Sequence, residues 1–114
     1  MPTLMFLSLA LNIAVLIPVT VALALNRPGA TQVFGERSPA RGILLSIYLS
    51  ILVVSAALLA VQALQAVAAL LLVQIVYKLT TPITVGSMRN PVVVSNLFIA
   101  AFHSATLWGS RAAL

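Results

Sequence analysis

Apolar residues run almost unbroken from Thr3 to Leu25 and stop at Asn26-Arg27-Pro28-Gly29. At about 1.5 Å per residue that run is long enough to cross a hydrocarbon core of roughly 30 Å. The four residues that end it include a charge, a residue without a backbone N–H and a residue tolerant of positive φ, so run and helix terminate together. Residues 26–42 carry Arg27, Glu36, Arg37 and Arg41 and form the most polar part of the chain, predicted to be a soluble loop. Ser38-Pro39 then offers an N-cap followed by a proline at the first helical position, where its missing donor costs nothing.

From Ile43 the apolar character continues to Tyr77. One helix of that length would measure about 52 Å, far more than the hydrocarbon core. The only polar break is Gln62-Ala63-Leu64-Gln65, which lacks the glycine or proline usual in a tight turn. Charge placement decides between two spans and one. With a hairpin at the break, Arg27, Arg37, Arg41, Lys78 and Arg89 fall on one side of the membrane and Arg111 on the other. With one long helix, Lys78 and Arg89 cross over and the bias weakens, so the positive-inside rule favours the hairpin.

The pattern therefore predicts an all-α membrane protein, a single integral domain over residues 1–114. It is a bundle of four transmembrane helices at about 3–25, 43–61, 64–80 and 92–110, with the loop 26–42 cytoplasmic and both termini outside. The alternative has three spans with one long central helix. Thr80-Thr81-Pro82 through Gly86 reads as the start of a connecting loop, and Asn90-Pro91 repeats the cap-plus-proline signature before the last span. Tyr48, Tyr77 and Trp108 suit interfacial positions, and Lys78 at the end of the third span is expected to snorkel to the headgroups.

Composition agrees with a lipid environment. Of 114 residues 62% are hydrophobic and 6% charged, too little polar cover for a water-soluble domain of this size. The net charge of +5 is spread singly or in small groups between apolar runs, which is a topology signal and gives no reason to expect nucleic acid. Five of the six cations are arginine, which leans toward a GC-rich bacterial genome and hence a multi-pass protein of the plasma membrane, the bacterial inner membrane. Ala22-Leu23-Ala24 has the small-x-small look of a signal cleavage site. The start, however, has no Lys or Arg and the run exceeds a signal's roughly 7–15 residues, so it is expected to remain as a membrane helix.

Side-chain chemistry is sparse. There is one acid, Glu36, one histidine, His103, and no cysteine. Paired carboxylates and metal sites of three or four ligands are out of reach, no glycine-rich phosphate loop is present, and a serine nucleophile would have only His103 as its base. No enzymatic activity and no cofactor or metal are expected of the lone chain. His103 lies midway along the fourth span, where an ionisable group marks a function by default; its roles are a hydrogen bond to a neighbouring helix, proton or substrate handling, or haem ligation. Asn96, Ala100, His103 and Leu107 share one helical face. Asn12 precedes Pro18 in the first span, and the proline leaves the carbonyl of Ala14 without its donor. Gln74 and Lys78 share a face of the third span with Thr81 a turn further on, an amide and a cation that can bind an anion or a lipid phosphate. Gly42, Ser46 and Ser50 form a small-xxx-small stripe and Ala101 with Ala105 a shorter one, both suited to close helix contact.

The leading expectation is a small non-enzymatic protein whose partners are membrane lipids and other membrane protein subunits or itself, such as an accessory or assembly subunit. The alternatives are a homo-oligomeric small transporter or pore using His103, and a subunit in which His103 from two chains holds haem. In length and four-span layout the chain resembles the small multidrug resistance transporters, which implies proton-coupled export of cations by an oligomer. Those proteins depend on a carboxylate within the first helix, where this sequence has Asn12 and no acid, and His103 would have to substitute.

Overall fold

The computed structural model describes all 114 residues, and it contains helices and no strands. The helices are α1 (Thr3–Ala24), α2 (Pro28–Phe34), α3 (Pro39–Val61), α4 (Leu64–Val85) and α5 (Pro91–Ser110), with a closing 3₁₀ turn at Arg111–Ala113. Four of them, α1, α3, α4 and α5, are long and apolar enough to cross a membrane. The three-span alternative fails at Gln62. That residue takes the left-handed conformation (φ 57°) and its N–H returns to the Leu58 carbonyl at 2.8 Å, ending α3 without a glycine.

α1 ends at Ala24, four residues before Pro28. Asn26 adopts φ 53°, its N–H bonds Leu23 O at 3.3 Å and that of Arg27 bonds Ala22 O at 3.0 Å, the paired bonds of a Schellman ending. Pro18 sits on the exposed face of α1, and the helix runs on through it. Both predicted caps form: Ser38 Oγ accepts from Arg41 N at 3.1 Å and Asn90 Oδ1 from Val92 N at 2.9 Å.

Two expectations for the connections are corrected. The polar stretch 26–42 is not a loop throughout, because α2 forms inside it and closes one end of the bundle. Ala30 is buried there, and Phe34 meets Tyr48 edge-on with ring centroids 6.1 Å apart. The third span does not stop at Thr80 but continues through Pro82 to Val85. Proline at 82 removes the donor for the Lys78 carbonyl, and the Thr81 hydroxyl replaces it at 2.7 Å.

α1 lies along α3 and α5 along α4; α1 and α5 join these pairs, whereas the consecutive helices α3 and α4 pack little against each other. Apolar clusters hold the two ends. Met5, Leu9, Leu58, Val67 and Leu71 fill one, and Leu16, Leu23, Ala30, Tyr48 and Ile51 the other. Tyr48 is thus a core residue, not an interfacial one. Of the 25 buried residues 11 are polar or charged, while large apolar side chains such as Phe6, Ile43, Val53, Val73 and Phe98 cover the outside. That inversion fits a solvent of hydrocarbon, which leaves polar groups only one another as partners.

The arginines of the polar stretch are spent on helix ends. Arg41, although charged, is only 6% exposed and donates to Gly35 O at 2.9 Å and Leu23 O at 3.1 Å, while Arg37 donates to Ala24 O at 2.9 Å. Both cations therefore sit at the negative end of α1. Arg41→Ala removes two charge-assisted bonds to backbone carbonyls, one of them buried, each worth about 1.5–3 kcal/mol, and should lower the thermal midpoint in mild detergent clearly more than Arg37→Ala. Equal effects of the two substitutions would show that Arg41 is not a structural clasp.

Candidate functional site

All five polar residues predicted within the spans, Asn12, Gln74, Lys78, Asn96 and His103, are buried. They lie on the inner faces of α1, α4 and α5 and make a polar seam between the two apolar ends. On one part of it Asn12 Nδ2 donates to Ser55 Oγ at 3.1 Å, tying α1 to α3, and the Ser8 and Thr106 hydroxyls share a bond of 2.7 Å, tying α1 to α5. His103 is fully buried a turn from Thr106, and neither ring nitrogen has a partner within the chain. One N–H donor and one acceptor are therefore uncommitted at the heart of the bundle.

Lys78 occupies the other part. It lies seven residues before the end of α4, about 10 Å inside it, and is 6% exposed, so it does not snorkel as expected. The helix continuing past Thr80 places the ammonium too deep, and the inner partners take it instead. Nζ donates to the Tyr77 hydroxyl at 2.8 Å and to Asn96 Oδ1 at 3.4 Å, and lies 4.6 Å from the Tyr77 ring centroid. None of these partners carries negative charge. The only acidic side chain, Glu36, is exposed between α2 and α3. Asn96, 5% exposed, spends its oxygen on Lys78 and leaves Nδ2 unpaired.

Two adjoining cavities open beside this pair. A small chamber of about 50 Å³ is bounded by Lys78, Asn96, Tyr48 and Ser95 and by apolar groups of α1. A larger one of about 340 Å³ lies between α3, α4 and α5 under α2. Phe34, Tyr48, Val92 and Asn96 line both, so the two spaces adjoin along these residues. Asn90 Nδ2 donates to Val33 O at 3.0 Å and fastens α2 over the larger space.

The predicted packing stripes are not used inside the chain. Gly42, Ser46 and Ser50 are all exposed on α3, Ser50 Oγ returning to Ser46 O at 2.8 Å, and Ala101 and Ala105 are likewise exposed on α5. Gln74, fully inside, turns its amide back to Leu70 O at 3.4 Å and does not reach Lys78. A haem shared between two copies would need His103 on the outer face of α5, and it lies on the inner one. Ser8, Ser55 and Thr106 were not singled out from the sequence. Their signal is spacing: Ser8 with Asn12, Thr106 with His103, and Ser55 seven residues from Tyr48 repeat along otherwise apolar helices.

Compared with family models, with curated proteins and with solved structures, the chain matches none.

Lys78 is a buried cation with no carboxylate beside it, which costs stability. Lys78→Met, similar in volume and uncharged, removes the desolvation cost of a buried charge that has no counter-charge and should raise the unfolding midpoint in detergent solution. A marked fall in the unfolding midpoint would show that the ammonium is fully compensated by Tyr77 and Asn96.

Proposed function

We propose that this protein is a small non-enzymatic carrier of the bacterial inner membrane that takes an anionic ligand into its polar interior. One observation carries the proposal: a buried lysine faces an unpaired amide and a cavity, and the chain supplies no carboxylate to neutralise it. An ionisable group held at membrane depth is costly, and such groups mark ligand or ion pathways. Here both uncommitted groups are donors, which selects a negative ligand. His103, with its own uncommitted ring, continues the seam toward the opposite end and would serve movement of a ligand or proton along it.

A second reading, an accessory or assembly subunit, is favoured by the outward stripe of Gly42, Ser46 and Ser50 on α3. Three small groups on one lipid-facing line let another helix approach closely, from a partner subunit or a second copy. The two readings separate in one measurement. Native mass spectrometry of the tagged protein, gently extracted from its host membrane, should find the chain with a small anion that the Lys78→Met variant lacks. Other subunits at fixed stoichiometry and no small anion would overturn the carrier in favour of the accessory role.

The orientation proposed with it places α2 and the arginine-bearing stretch in the cytoplasm. Because the chain has no cysteine, single cysteines report sidedness without background. Ala63→Cys and Ala113→Cys should react with an impermeant maleimide from outside the cell, and Glu36→Cys and Ser87→Cys only after permeabilisation. The reverse pattern would invert the model.

A further inference from the structure

We infer that the ligand is a single-chain amphiphile with a carboxylate head, such as a long-chain fatty acid, whose head occupies the chamber at Lys78 and whose chain lies in the larger cavity. This rests on the anion-carrier reading and names its ligand class. Three features of the geometry point to it.

The first is the donor set. Lys78 and Asn96 both line one chamber, Asn96 Nδ2 has no partner in the chain, and no acidic side chain lies within the bundle. A carboxylate there would satisfy the unpaired amide and neutralise the ammonium with charge-assisted bonds. The second is size. At roughly 10–15 Å³ for a water-sized group, the chamber's 50 Å³ has room for about three to five heavy atoms. A carboxylate, with its three heavy atoms, fits that room.

The third is what adjoins the chamber. The cavity of about 340 Å³, which shares Tyr48 and Asn96 with the chamber, has walls of Val33, Phe34, Leu44, Val85, Val92 and Val93. It is within the roughly 300–1,000 Å³ range of small-molecule sites, and it has no charged side chain in its lining. A small polar head needs no such space, whereas an alkyl chain does. The cavity runs between Leu44 and Tyr48 of α3 and Tyr77 and Thr81 of α4, the two helices that pack least against each other. Asn90 with α2 covers the end of the cavity, so an amphiphile would enter sideways, between α3 and α4.

The test uses the full chain in zwitterionic nanodiscs with radiolabelled palmitate as probe. Wild type should bind palmitate saturably, and the alcohol of the same chain length should not compete. Lys78→Met should weaken binding roughly ten- to hundredfold, the worth of a lost charge-assisted bond. Asn96→Asp provides a second variant that keeps the lysine paired and the fold intact: its carboxylate occupies the ammonium from within, and palmitate should be excluded. Leu44→Trp, which fills the larger cavity, should block palmitate and leave butyrate binding unchanged. If butyrate binds in a Lys78-dependent way as tightly as palmitate, and Leu44→Trp has no effect, the anion site stands and the acyl assignment falls. An alkyl phosphate of the same length that displaces palmitate preferentially would overturn the carboxylate head. If no carboxylate binds wild type, the amphiphile and the carrier reading fall together.

Discussion

Hydrocarbon offers no hydrogen bonds, so every polar side chain in these four long helices has to find its partner in another helix or in its own backbone. The architecture follows from that constraint. Asn12 reaches Ser55 and sets α1 on α3; Ser8 meets Thr106 and sets α1 on α5; Lys78 reaches Asn96 and sets α4 on α5. The apolar clusters at the two ends pack around these bonds and add van der Waals contact between the helices. Ser50, Thr20 and Ser104, which have no such partner, turn back on carbonyls of their own helices.

Against this background the residues that remain uncommitted stand out. His103 with both nitrogens, Asn96 with its amide and Lys78 with no counter-charge lie in one seam. A bundle shaped only for stability would replace them with leucine or alanine. These uncommitted groups are what the proposed anion site rests on, and the stripe on α3 is a separate, exposed surface.

The four long elements were legible because length and apolar content alone identify a span. The caps at Ser38 and Asn90 were legible because they use local side-chain geometry. The errors share a cause. At Pro82 the neighbouring Thr81 hydroxyl restores the lost bond and the helix goes on, which a rule about proline alone does not anticipate. That extension moves Lys78 from an end to an interior position and so reverses its expected fate. α2 was missed because seven residues among polar neighbours carry little periodicity, and its stability comes from Phe34 on Tyr48 and from Arg41 and Asn90 binding its last carbonyls. The stripe at Gly42, Ser46 and Ser50 was recognised as a contact face, but spacing cannot tell which side of a helix points to its own chain.

The pairing of helices has a consequence for how the molecule is made. α3 finds α1 already in place, and α4 then follows α3 across a two-residue turn without packing closely on it. In a chain synthesised from its N-terminus, Lys78 thus enters the membrane before Asn96, the helix-to-helix partner that holds it, has been translated. Until α5 arrives, the ammonium and the seam beside it lie open on the flank of an unfinished bundle. The last helix is therefore the one that seals the interior, and the bond between Ser8 and Thr106, joining residues 98 positions apart, is the fastening that closes it.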